Sequence, residues 1–76
     1  MDMRKLVGRN FARLRREKKL TQEQVADRSG LSQQYISDLE RGCRNPTVIT
    51  LYELAQALGA SHVDLVAVDE RGRRER

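Results

Sequence analysis

Apolar positions recur along the chain at helical spacing, and the polar positions between them carry the signals that start and stop helices. Val7, Phe11 and Leu14 fall at i, i+4 and i+7, which predicts a first helix over about Lys5 to Lys18, with Met1 to Arg4 as a frayed end. Gly8 marks either a close approach by another helix or a weak first turn. Thr21 opens a second helix, about Gln22 to Ser29, and Gln24 completes a capping box with it. Gly30 stops that helix where the chain needs a positive φ, and Ser32 caps a third helix, about Gln33 to Arg41. Val25, Ala26, Leu31, Ile36 and Leu39 form the inward set of this pair. Asn45 and Pro46 interrupt the helical pattern. Thr47 then caps a fourth helix, Val48 to Leu58, with Leu51, Leu54, Ala55 and Leu58 inward and Gly59 as its end. Ser61 and Asp64 open a short fifth helix from His62 to about Ala67. Its text, ending Val66-Ala67-Val68-Asp69, also fits a short edge strand.

These elements describe an all-α, compact five-helix domain around one core, spanning residues 1–68, followed by a flexible charged tail at 69–76. A 76-residue chain buries roughly 60% of its extended surface, so its stability is modest, on the order of 5 kcal/mol. No apolar run approaches a membrane span, and the first residues lack a signal-peptide pattern. The lone Cys43 has no disulfide partner, and His62 has no companion at metal-ligand spacing. A cytoplasmic protein with no metal, no cofactor and no membrane partner is expected.

Charge changes the picture through its distribution. The net charge is +4 and the pI about 9.8. Arg4 to Lys19 holds eight basic residues against one acidic, whereas Leu20 to Glu40 holds four acidic residues and one basic. Positive charge returns at Arg41 and Arg44. Such a frame suits a polyanion, with charge for placement and neutral side chains for reading.

Thr21 to Gly42 has the dimensions of a helix-turn-helix, in which the second helix enters the DNA major groove. Gln33 and Gln34 begin that helix, and an amide can pair with adenine N6 and N7. Ser37, one turn on, shares their face, so these three are the candidate base readers. Tyr35 packs at the groove edge or against its own scaffold. Gln22 sits where a helix N-terminus can hold a phosphate. Arg41, Arg44 and Asn45 follow the reading helix and suit phosphate contacts, which set register and affinity. On the first helix, Arg9 and Arg13 are further phosphate candidates, and Arg4 and Arg16 read as solvated charge. Arg15, at the edge of the buried stripe, is a candidate for a partly buried ion pair.

The segments VGRNFARLRREKKL, TQEQVADRSGLSQQYISDLERG and RNPTVITLYELAQALG together resemble the phage-repressor/Cro-type, XRE-like helix-turn-helix family over about residues 5–66. The text YISDLERGCRNPT is also similar to the small controller proteins of restriction–modification systems. The resemblance implies a repressor-type DNA-binding domain and a cytoplasmic transcriptional regulator on double-stranded DNA. It implies that Gln22 contacts phosphate, and that Gln33, Gln34, Ser37 and Asp38 read bases or lie at the margin of reading. It implies that Arg41, Arg44 and Asn45 touch the backbone, and that Arg15 pairs with Glu40. Members usually bind palindromic sites as dimers through the fifth helix and its surroundings. Lys19 stands where a glycine is common, and no long C-terminal dimerisation domain follows.

Val63, Leu65, Val66 and Val68 exceed what a one-turn helix needs for its own side, so some of that surface is either core closure or a subunit contact, and these four are the candidate dimer interface. Tyr52 belongs to the scaffold or to that interface. No glycine-rich phosphate loop is present, and nothing orients a Ser-His-Asp set in a cleft, so an enzyme is not expected. The alternative function is a protein-interaction module such as the antitoxin of a toxin–antitoxin pair. The sequence identifies no small-molecule effector.

Overall fold

The computed structural model describes residues 1–68; the tail read at 69–76 lies outside the described residues. Five α-helices follow in order: α1 Met3–Glu17, α2 Gln22–Ser29, α3 Gln33–Glu40, α4 Val48–Leu58 and α5 His62–Val66. No strand occurs among the described residues, so the edge-strand alternative at Val66 to Val68 is not adopted.

Helix α1 starts two residues earlier than its apolar stripe predicts. Asp2 is the reason: its carboxylate accepts from the backbone N–H of Arg4 at 3.0 Å and of Lys5 at 3.4 Å, which holds the turn expected to fray. At the other end, Lys19 adopts φ 58°. The N–H of Leu20 donates to the carbonyl of Arg15, and that of Lys19 to Arg16, closing a Schellman stop with lysine in the place glycine usually takes. Thr21 and Ser61 each form the reciprocal capping box expected of them, and Ser32 and Thr47 cap α3 and α4.

The core gathers Val7, Phe11 and Leu14 from α1, Val25 and Ala26 from α2, Ile36 and Leu39 from α3, Leu54, Ala55, Ala57 and Leu58 from α4, and Leu65 from α5. Leu20, Leu31, Tyr35 and Leu51 pack around it, partly buried. Helix α1 lies against α3 and α5, while α2 packs on α3 and α4. Gly8 is where α1 and α3 meet most closely: a Cβ there would stand 2.4 Å from the carbonyl oxygen of Leu39. Of the two readings of this glycine, close approach is the one realised.

Helix α5 is too short to hold its place by propensity. Asn10, 2% exposed, donates both amide hydrogens to it, reaching the carbonyl of Leu65 at 2.9 Å and of Ala67 at 2.8 Å. This tie, together with Leu65, fastens the end of the chain's fifth helix to α1. Leu65 is 0% exposed and belongs to the core, so core closure is the reading realised at this residue, and it leaves the candidate interface. Val63, Val66 and Val68 remain on the surface.

Candidate nucleic-acid interface

The turn between α2 and α3 is built from short-range bonds. Gly30 takes φ 78°, and its N–H returns to the carbonyl of Ala26 at 2.9 Å. Ser29 Oγ donates to that same carbonyl and accepts from the N–H of Leu31. Ser32 Oγ accepts from the N–H of Tyr35 at 3.0 Å. With Ile36 and Leu39 fully buried on the inner side, α3 must turn its other side to solvent. Gln33 and Gln34 are exposed at its start, and Ser37 and Asp38 half-buried one turn on. Eight residues make α3 about 12 Å long, close to the width of the DNA major groove.

A second set of bonds holds α1, α2 and α3 in register. Arg15 Nε donates to Glu40 Oε2 at 2.6 Å and Nη2 to Oε1 at 3.1 Å, while Nη1 reaches the carbonyl of Leu20 at 2.8 Å. Gln22 Nε2 adds a bond to Glu40 Oε1 at 3.2 Å. The side-chain hydrogen bond to Glu40 pushes the Arg15 guanidinium above its ordinary pKa, against the opposing pull of burial. The Arg15–Glu40 pair is therefore present, and Gln22 is part of it.

Arg15, Arg16, Lys19, Leu20, Thr21, Gln22, Glu23 and Gln33 line one shallow open cleft. Arg16, which reads as solvated charge along the sequence, thus stands beside Gln22 and Gln33. Its placement follows from the turn at Lys19 and Leu20 that ends α1 and from the packing of α1 on α3. Arg9 is exposed on α1 two turns earlier, and Arg13 is half-buried with an ion pair to Glu17 at 3.4 Å.

Beyond the other end of α3, Arg41, Arg44 and Asn45 are all exposed. Asp38 accepts from Gln34 Nε2 at 2.9 Å, from Arg41, and from Arg44 Nη2 at 3.2 Å. The hydrogen bond from Gln34, followed by the charges of Arg41 and Arg44, holds its carboxyl below the ordinary range. The Arg44 guanidinium lies 5.1 Å from the centroid of the Tyr35 ring. Burial pushes the Tyr35 hydroxyl up, and Arg44 opposes that shift. The result is a strip with cations at both ends and, between them, neutral amides, a hydroxyl and the Asp38 carboxylate engaged by Gln34, Arg41 and Arg44. Among the described residues no group of histidine, cysteine and carboxylate side chains could hold a metal ion, and no helix is long and apolar enough to cross a membrane.

Comparison with known proteins agrees with this geometry. The HTH_3 helix-turn-helix family model matches residues 11–65. An uncharacterized HTH-type transcriptional regulator, y4dJ, of Sinorhizobium fredii is 83% identical over 66 residues, covering 87% of this chain and 86% of that protein. The control protein C.SmaI of Serratia marcescens is 43% identical over 61 residues, covering 80% of this chain and 73% of its own. Among solved structures, the restriction–modification controller protein C.AhdI of Aeromonas hydrophila superposes with a TM-score of 0.78 at 35% identity, over 82% of this chain and 94% of the controller. With its capped helix pair and a match that runs from within α1 through α2, α3 and α4 and into α5, the chain belongs to the HTH_3 family of XRE-like, DNA-binding helix-turn-helix regulators.

Proposed function

We propose that this regulator binds a palindromic operator in double-stranded DNA as a homodimer, with α3 in the major groove. The observation that carries the reading is the pair of exposed amides, Gln33 and Gln34, on a helix whose flanks present Arg16 and Lys19 on one side and Arg41 and Arg44 on the other. Gln33, Gln34 and Ser37 read base edges. Gln22, Tyr35, Arg41, Arg44 and Asn45 contact the backbone, with Arg9 and Arg13 at its margin, and Arg16 and Lys19 join them. Such contacts position the reading helix and make affinity depend on salt.

One α3 reads only a few base pairs, so a second copy is needed for a unique site. Val63, Val66 and Val68 offer it an apolar surface, 36–56% exposed. Tyr52 continues that surface onto α4, its ring 6.2 Å from that of His62, and Val48 lies one turn before Tyr52. A two-fold dimer places its half-sites about one helical turn apart.

Selection of bound sequences from a random duplex pool tests both parts. An inverted repeat with that spacing is the expected product. The double variant Gln33→Ala, Gln34→Ala should lose discrimination between selected and random duplex while keeping weak, salt-sensitive binding. Retained discrimination would remove α3 as the reading helix. Sedimentation showing only monomer, free and on the selected duplex, would remove the dimer.

A further inference from the structure

Asp38 lies one turn after Gln34 on α3, with its side chain 16% exposed. Its Oδ1 accepts from Gln34 and Arg41 and its Oδ2 from Arg44, so the carboxylate is occupied before any base approaches. A carboxylate can only accept hydrogen bonds. The Gln34 amide must therefore turn its NH₂ toward Asp38 and cannot sit the other way round. One N–H is used in that bond. What remains is the carbonyl oxygen and the second N–H, an acceptor and a donor side by side.

We propose that Asp38 is a positioning residue that locks the Gln34 amide in one orientation and thereby makes Gln34 select adenine. Adenine presents N6–H and N7, the complement of that acceptor and donor, whereas guanine presents two acceptors, O6 and N7, and repels the carbonyl oxygen. The same carboxylate restrains Arg41 and Arg44. Arginine is the usual reader of guanine, so a restrained pair beside the amide keeps a competing base preference out of the site. The inference rests on the reading that Gln34 contacts a base.

The test compares the full chain with Asp38→Asn, Asp38→Ala and Gln34→Ala by selection from a random duplex pool, alongside binding to a fixed random duplex. The unaltered chain should favour adenine roughly tenfold or more at one position per half-site. Asp38→Asn offers both a donor and an acceptor and so accepts either orientation of Gln34; Asp38→Ala offers neither. Both should flatten the preference at that one position, leave the others intact, and raise affinity for random duplex by releasing the arginines. Gln34→Ala should flatten the same position. If Gln34→Ala flattens it and both Asp38 variants leave it sharp, the positioning role is wrong and the reading of Gln34 stands. If Gln34→Ala leaves it sharp, the reading itself is wrong and the inference falls with it. Weakening spread evenly over all positions in the Asp38 variants would mean that Asp38 only supports the helix, and would also overturn the inference.

Discussion

Replacing Gly8 with alanine sets two opposing effects against each other at one atom. Helix propensity favours the change by about 1 kcal/mol, because alanine loses less backbone freedom in a helix. Packing opposes it. The added Cβ would lie 2.4 Å from the carbonyl oxygen of Leu39, 3.0 Å from that of Glu40 and 3.2 Å from the Glu40 carbonyl carbon. Ordinary contact between such atoms is near 3.5 Å, so α3 must retreat from α1 by about 1 Å. All three obstructing atoms are backbone, so no side chain can swing aside. Overpacking of this kind costs about 1–3 kcal/mol, and the upper part of that range applies here. The retreat also stretches the Arg15–Glu40 fork, which spans the same two helices. The net expectation is a loss of about 1–2 kcal/mol. In urea, with a slope of about 1 kcal/mol/M for a chain this small, the unfolding midpoint should fall by about 1–2 M with the slope unchanged. A midpoint that stays or rises would show that propensity wins, and would refute the close contact between α1 and the end of α3.

Lys19→Gly should stabilise the fold by about 0.5–1 kcal/mol, since it relieves a left-handed residue at φ 58° at the expense of a more flexible unfolded chain. A thermal scan should rise by several degrees while the salt dependence of duplex binding weakens; a lower melting temperature would count against strain at Lys19. Arg44→Ala should weaken binding to operator and random duplex alike and lower the salt slope by about one unit, and an unchanged slope would exclude a phosphate contact there. Asn10→Ala leaves the carbonyls of Leu65 and Ala67 without their donor and should cost about 2–3 kcal/mol. Hydrogen exchange should quicken more in α5 than in α2; equal acceleration in both would show that Asn10 does not hold α5 specifically.

The features legible in the sequence are those whose cause is local. Thr21 with Gln24, Ser61 with Asp64, and Gly30 all act within four residues of themselves, and each does what its position predicts. The inward stripe of α1 is equally legible because helical periodicity alone selects it. Asp2 is also a local cap, and the signal was present, but its place at the chain's end favours the reading of fraying. The other misses are long-range. Asn10 sits at the flank of the α1 stripe, and its partners lie 55 and 57 residues away, so nothing near it announces a buried amide. Five apolar residues within six, from Val63 to Val68, carry no period that picks out Leu65. That choice is made by the way Asn10 and the core seat α5. Asp38 is a local case: its partners Gln34, Arg41 and Arg44 lie four, three and six residues away, and helical spacing alone does not choose among them.

The Arg15–Glu40–Gln22 cluster connects α1 and α2 to α3, the helix proposed to read bases, and its contribution is directional. Replacing such a pair with apolar side chains of similar volume is often neutral for stability, because removing two charges from water offsets much of their attraction. Ile36 and Leu39 already bind α3 to the core, but apolar contact tolerates small slides and rotations. A two-point fork does not: Arg15 meets both oxygens of Glu40 and the carbonyl of Leu20 within 2.6–3.1 Å, so a shift of α3 along or around its axis breaks several bonds at once. Gln22 joins the same carboxylate at the first residue of α2, beside the cleft that Gln33 lines from the first residue of α3. The fork and this bond therefore fix the separation between the start of α2 and the end of α3. In the proposed mode of binding, with phosphates held at α2 and bases read from α3, that separation sets how far α3 enters the groove when the backbone contacts are made.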